Sequence, residues 1–161
     1  MVSQAQHDLQ VEFIQNSNIQ QTAVSPQSNM YLGSISHPKI IMQEMAAGQD
    51  GEITAVLGAY DASSDARVCL TTPTQNSTYC IHITPSGGHV KVDNVLEEGS
   101  EFDFESTDEL KIYRCEDKII YQQNGRYLAA TQLSGNNFKL YGLAEVFAAN
   151  SLNLHLEFNP Q

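Results

Sequence analysis

Residues 110–133 read LKIYRCEDKIIYQQNGRYLAATQL. Leu110 to Arg114 has the spacing of a strand and runs to a turn at Glu116-Asp117. Ile119 to Gln123 is a second strand. Asn124-Gly125 after it is the strongest hairpin signal in the chain, because a type I′ turn needs positive φ at both central residues. Tyr127 to Leu133 returns from that turn. Three short strands in 24 residues, joined by tight turns, form an antiparallel meander, and such a meander must bury one face.

The same rhythm extends in both directions. Upstream, Ile40 to Ala47 is an apolar strand, and Gly51 to Tyr60 alternates through Ile53, Ala55 and Leu57. Arg67 to Thr71 and Tyr79 to Thr84 flank a loop with Pro73 and Asn76. Pro85-Ser86-Gly87-Gly88 is a turn signal, after which Val90 and Val92 alternate. Downstream, Ser134 to Asn137 is a turn, and the apolar run Phe138 to Phe147 is the one segment open to a short helix. Leu152, Leu154, Leu156 and Phe158 alternate with polar residues as a last strand. Near the other end, Leu9, Val11 and Phe13 alternate in the same way, so the two end strands can pair and close a sheet. Residues 1–30 are a polar arm rich in Gln, Asn and Ser with one edge strand; residues 31–161 form the domain. The expected fold is all-β, a sandwich or a barrel.

Composition narrows the function. The 161 residues hold 41% hydrophobic residues, enough for one real core. Lys and Arg number 8 against 19 Asp and Glu, a formal net charge of -11. Nucleic acid and anionic membranes both need a basic footprint, so neither is expected as a partner. No apolar run reaches the ~20 residues of a membrane span, and no apolar stretch follows Met1 as in a signal peptide. Three cysteines cannot form a closed disulfide framework. Cys69 and Cys80 lie on neighbouring strand segments and can pair, with Cys115 left over. The reading preferred here is three ordinary thiols. Asn76-Ser77-Thr78 is an N-glycosylation triplet of a kind common by chance. No Cys/His spacing suggests a metal, and no EF-hand loop is present.

Leu110 to Arg114, the turn, and Ile119 to Gly125 resemble the hairpin of concanavalin A-like lectin/glucanase modules, where an Ile/Arg strand precedes a strand ending in Tyr-x-x-Asn-Gly. Tyr79-Cys80-Ile81-His82-Ile83 with Gly88-His89-Val90 resembles the preceding segment of those modules. Phe138 to Gly142, through Leu152 to Leu154, resembles the closing one. The resemblance covers roughly residues 39–158 and implies a jelly-roll β-sandwich that binds carbohydrate or a surface, as one unit of an adhesin or a fibre; the partner expected here is a glycan or a surface glycoprotein. SPRY domains, which bind proteins, share the strand-plus-Asn-Gly theme.

Two candidate sites follow. Glu101-Phe102-Asp103-Phe104-Glu105 resembles the Glu-x-Asp-x-Glu signature of laminarinase-type glycoside hydrolases. On a strand it would set three carboxylates on one face and two Phe in the core. The resemblance implies Glu101 as nucleophile, Asp103 as its partner and Glu105 as acid/base. The chain has no Trp for stacking sugar rings and is short for that family. The reading adopted is therefore a solvated acidic face and no catalysis. The other site is the loop from Tyr60 to Arg67. Tyr60 offers a ring, Asp61, Ser64 and Asp65 accept hydroxyl hydrogen bonds, and Arg67 donates. Asp61 and Asp65 also suit calcium, the one cofactor considered. The expectation is a non-catalytic carbohydrate-binding module, extracellular or on a cell or virion surface. The alternative is a structural subunit that assembles as a homo-oligomer, coat or fibre.

Overall fold

The computed structural model describes residues 7–14, 20–23, 30–32, 39–60, 64–148 and 151–160, with side chains over 44–58, 64–147 and 156–160. Among the described residues there are fourteen strands and no helix. In chain order they are β1 (His7–Ile14), β2 (Gln20–Ala23), β3 (Met30–Leu32), β4 (Lys39–Met45), β5 (Gly51–Tyr60), β6 (Asp65–Thr71) and β7 (Thr78–Thr84). Then follow β8 (Gly87–Val92), β9 (Val95–Leu96), β10 (Glu109–Cys115), β11 (Lys118–Gln123), β12 (Arg126–Gln132), β13 (Leu140–Ala148) and β14 (Ser151–Pro160).

They form two seven-stranded antiparallel sheets, in the orders β12-β11-β10-β5-β14-β1-β2 and β3-β4-β13-β6-β7-β8-β9. This is the jelly-roll sandwich that the resemblance implied. The two end strands pair as expected, with Leu9 opposite Leu156 and Val11 opposite Leu154. β1 lies inside the first sheet, between β14 and β2, so the edge position falls to β2.

Period-two alternation builds the core. Ile53, Ala55 and Leu57 of β5, Leu110 and Ile112 of β10, and Ile119 and Tyr121 of β11 face inward and are buried. They meet Val68 and Leu70 of β6, Ile81 and Ile83 of β7, and Val90 of β8. Two polar residues continue these inward rows. Arg114 follows Leu110 and Ile112 at one end of the sandwich, and Gln123 follows Ile119 and Tyr121 at the other.

The run from Phe138 contains β13 and no helix. Leu140, Ala144 and Val146 pack in the main core, while Leu143 packs on the other face against Cys69 and Cys80. A strand covered on both faces loses its alternation and reads as a plain apolar run.

Cys69 and Cys80 are joined by a disulfide, which corrects the expectation of three thiols, and Cys115 is free and exposed. The β6–β7 turn decides the pairing. Thr72 N–H donates to the Ser77 carbonyl (3.1 Å) and Gln75 N–H to the Thr72 carbonyl (2.8 Å), setting a register in which Cys69 faces Cys80. The bridge closes an 11-residue separation. Chain entropy assigns such a loop about 2.7 kcal/mol. Replacing both cysteines by alanine should therefore lower the thermal midpoint by roughly 5–10 °C, measured by calorimetry; an unchanged midpoint would refute the contribution.

Candidate functional site

The end of the sandwich that carries Gln123 opens into a cleft of about 810 Å³. Its wall is made by the β11–β12 turn, where Asn124 and Gly125 have φ of 50° and 79°, the positive values the sequence implied. Gln123 Nε2 donates to the Asp103 carbonyl (2.7 Å) and to Asp108 Oδ2 (2.9 Å). Asn124 Nδ2 donates to Asp108 Oδ1 (2.9 Å), and the Glu105 amide donates to Asp108 Oδ2 (2.9 Å). Asn124 Oδ1 accepts from the Glu109 amide (2.8 Å), which fixes the orientation of the Asn124 side-chain amide. Arg126 Nη2 donates to Gln123 Oε1 (2.8 Å). Burial alone would raise the Asp108 pKa. The hydrogen bonds from Asn124, the Glu105 amide and Gln123 outweigh it and hold the carboxyl below its ordinary value.

The opposite wall is the start of β8. Gly88 and Phe102 exchange two backbone hydrogen bonds, of 2.8 and 2.9 Å. A Cβ on Gly88 would run into the Phe102 ring, so only glycine permits this approach. Phe102 is buried, and half-buried Phe104 meets it edge-on with centroids 6.4 Å apart. His89 also faces the cleft. Burial first, then His82 and Lys91, push its pKa below the ordinary imidazole value, so the ring is neutral at pH 7 with one donor and one acceptor nitrogen.

Glu101, Asp103 and Glu105 are exposed and all line this cleft. They do not share a strand face. Residues 101–105 run as irregular chain with a single bridge, Phe102 to Gly88, which corrects the strand expected there. Phe102 and Phe104 do turn toward the core. With Asp108, four carboxylates line the cleft together with His89 and Arg126. That balance opposes an anionic ligand. It suits a neutral, hydroxyl-rich one, with carboxylates as acceptors, Arg126 as donor and Phe104 as an apolar platform.

The Tyr60 to Arg67 group lies elsewhere. Tyr60 ends β5, its side chain and the whole of Asp61 being outside the described residues. Ser64 is buried. Asp65 Oδ1 contacts His82 Nε2. Arg67 donates to Glu145 Oε1 from Nε (2.9 Å) and Nη2 (2.8 Å), and to Asn94 Oδ1 from Nη1 (3.2 Å). Asp65 and Arg67 thus sit on the outer face of the second sheet with the disulfide, and neither lines the cleft. Among the described residues no three His, Cys, Asp or Glu side chains are placed to hold a metal ion. Asp108, Gln123 and Arg126 escaped the sequence reading. Gln123 alone left a trace there, as a polar residue in phase with Ile119 and Tyr121.

No family model and no curated protein matches the chain. Solved structures do. The SPRY domain of human HERC1 superposes with a TM-score of 0.60 at 10% identity, over 86% of this chain and 91% of that one. β-Agarase B from Zobellia galactanivorans gives 0.59 at 7% identity, over 94% and 74%. Bacillus licheniformis β-glucanase gives 0.52 at 12%, over 87% and 81%. Likeness at such identities establishes a fold, and the fold is the concanavalin A-like jelly roll.

Proposed function

We propose that this chain, folded as a concanavalin A-like jelly roll, is an extracellular or surface-borne binding module that recognises a neutral glycan, free or on a surface glycoprotein. One observation carries the reading: the open cleft whose polar groups are fixed in advance by the Asp108-Gln123-Asn124 network beside half-buried Phe104. Fixed donors and acceptors lose little entropy when they meet hydroxyl groups.

A glycan array with and without calcium tests it. A related set of neutral sugars should bind, and Phe104→Ala should weaken binding by roughly 3–10-fold, the range of a lost ring contact. Binding that disappears without calcium would move the site to Asp61 and Asp65. A blank array from folded protein would refute the glycan reading.

Two observations support other readings. Glu101, Asp103 and Glu105 share the cleft, and two of the similar folds are a β-agarase and a β-glucanase. If the chain is a glycoside hydrolase, it will release sugar from such polymers and Glu101→Gln will abolish the release. Val95 (67%), Leu96 (46%) and Tyr127 (64%) are exposed on β9 and β12, each an edge strand. Apolar edges favour assembly, so a structural subunit would show a multiple of the chain mass in solution.

A further inference from the structure

We propose that Asn76 is an N-glycan acceptor, and that the glycan stands at the end of the sandwich remote from the cleft. Asn76-Ser77-Thr78 is the only Asn-x-Ser/Thr triplet in the 161 residues. The structure adds three observations. Asn76 is exposed in the β6–β7 turn, where an added sugar meets solvent. The turn is bracketed by the Cys69–Cys80 disulfide, a bond that persists in the oxidising compartments through which N-glycosylated chains pass. Thr78, the third residue of the triplet, buries its Oγ1 with no hydrogen-bond partner among the described residues. A buried hydroxyl without a partner opposes folding and calls for an explanation outside the fold. The triplet supplies one, since its third position must be a hydroxyl residue.

The transfer needs a lipid-pyrophosphate-linked oligosaccharide and the transferase of the secretory membrane. The Asn76 amide nitrogen bonds to the anomeric carbon as the bond from that carbon to the pyrophosphate oxygen breaks. The amide releases one proton and the lipid pyrophosphate leaves; nothing is oxidised or reduced. β7 begins at Thr78 beside the acceptor and ends at Thr84 beside the cleft wall of Ser86 to Gly88. Seven residues of strand separate the two ends by roughly 20 Å, so the glycan leaves the cleft open. This site is independent of what the cleft binds.

The test uses the full chain, secreted from a eukaryotic cell behind a cleavable leader, beside Asn76→Gln and Thr78→Val. Intact mass and peptide maps are taken before and after peptide-N-glycosidase. The expected result is excess mass on the wild type that the enzyme removes, converting Asn76 to aspartate, and no excess on either variant. Thr78→Val should also melt ~2–4 °C above the enzyme-treated wild type, because a methyl replaces an unpartnered hydroxyl. Asn76 recovered unmodified in the secreted, disulfide-bonded chain would overturn the assignment. So would Thr78→Val melting below the enzyme-treated wild type, since the hydroxyl would then serve the fold.

Discussion

Arg114→Ala lowers stability by about 3–5 kcal/mol, the range for removing one partner of a buried charged network. Arg114 is 1% exposed. It is held by backbone carbonyls: Nε and Nη2 donate to Gln49 O (2.9 and 2.7 Å), Nη2 to Ala46 O (2.9 Å) and Nη1 to Phe138 O (2.7 Å). The Phe138 ring lies 5.4 Å from the guanidinium carbon, a cation–π contact. Burial pulls its pKa below the ordinary guanidinium value, yet arginine remains charged at every working pH. Arg114 thus ties the β4–β5 turn and the approach to β13 onto the end of β10. A buried ion pair can be replaced by apolar residues because both partners go. Here the partners are carbonyls that no substitution removes, so the penalty of leaving them unpaired stays. Arg114→Met separates the effects, since it refills most of the volume and restores no donor. Guanidinium unfolding should leave the Met variant still more than about 2 kcal/mol below wild type. A Met variant within 1 kcal/mol of wild type would show that Arg114 acts by packing alone.

Arg114 also marks how far the sequence could be read. Alternation from Leu110 to Arg114 and from Ile119 to Gln123 set the strands, the hairpin and the sandwich. The same alternation placed Arg114 and Gln123 on the inward rows, yet composition alone gave no reason to bury them. Their reason lies in carbonyls and carboxylates contributed by distant loops. β13 was illegible because both of its faces are covered, and its register with β4 shifts between Tyr141 and Leu143. Residues 101–105 erred the other way. Two inward rings and three exposed carboxylates mimic a strand, but the only strand-type pairing of residues 101–105 is one bridge, Phe102 to Gly88. The cleft joins parts of the sequence that only the topology brings together. The turn residues Asn124-Gly125 were visible as a hairpin, while nothing in the sequence marked Asp108 as the partner of Asn124.

Asp108→Ala is expected to cost about 3–4 kcal/mol at neutral pH and Asp108→Asn about 2–3 kcal/mol, from hydrogen bonds to a charged group partly repaid by water in an open cleft. The carboxylate accepts from Asn124, Gln123 and the Glu105 amide. An asparagine there keeps one acceptor oxygen and turns an NH₂ toward a donor. The Asn124 amide cannot flip to relieve the clash without giving up the Glu109 amide. The pH dependence distinguishes charge from shape. The Asp108 carboxyl titrates below its unfolded value of 3.8. Its contribution is therefore full above that value and is lost as pH falls through the folded one. The gap between wild type and Asp108→Asn should be constant from pH 7 to about 5 and should narrow toward pH 3, read from urea unfolding at each pH. The same variants loosen residues 103–108, so affinity for any cleft ligand should fall with stability, while Asp65→Ala on the outer sheet face leaves that affinity unchanged. A gap that holds from pH 7 to 3 would show that the network recognises the shape of Asp108 and not its charge. The cleft would then be ordered by the Asn124 turn alone.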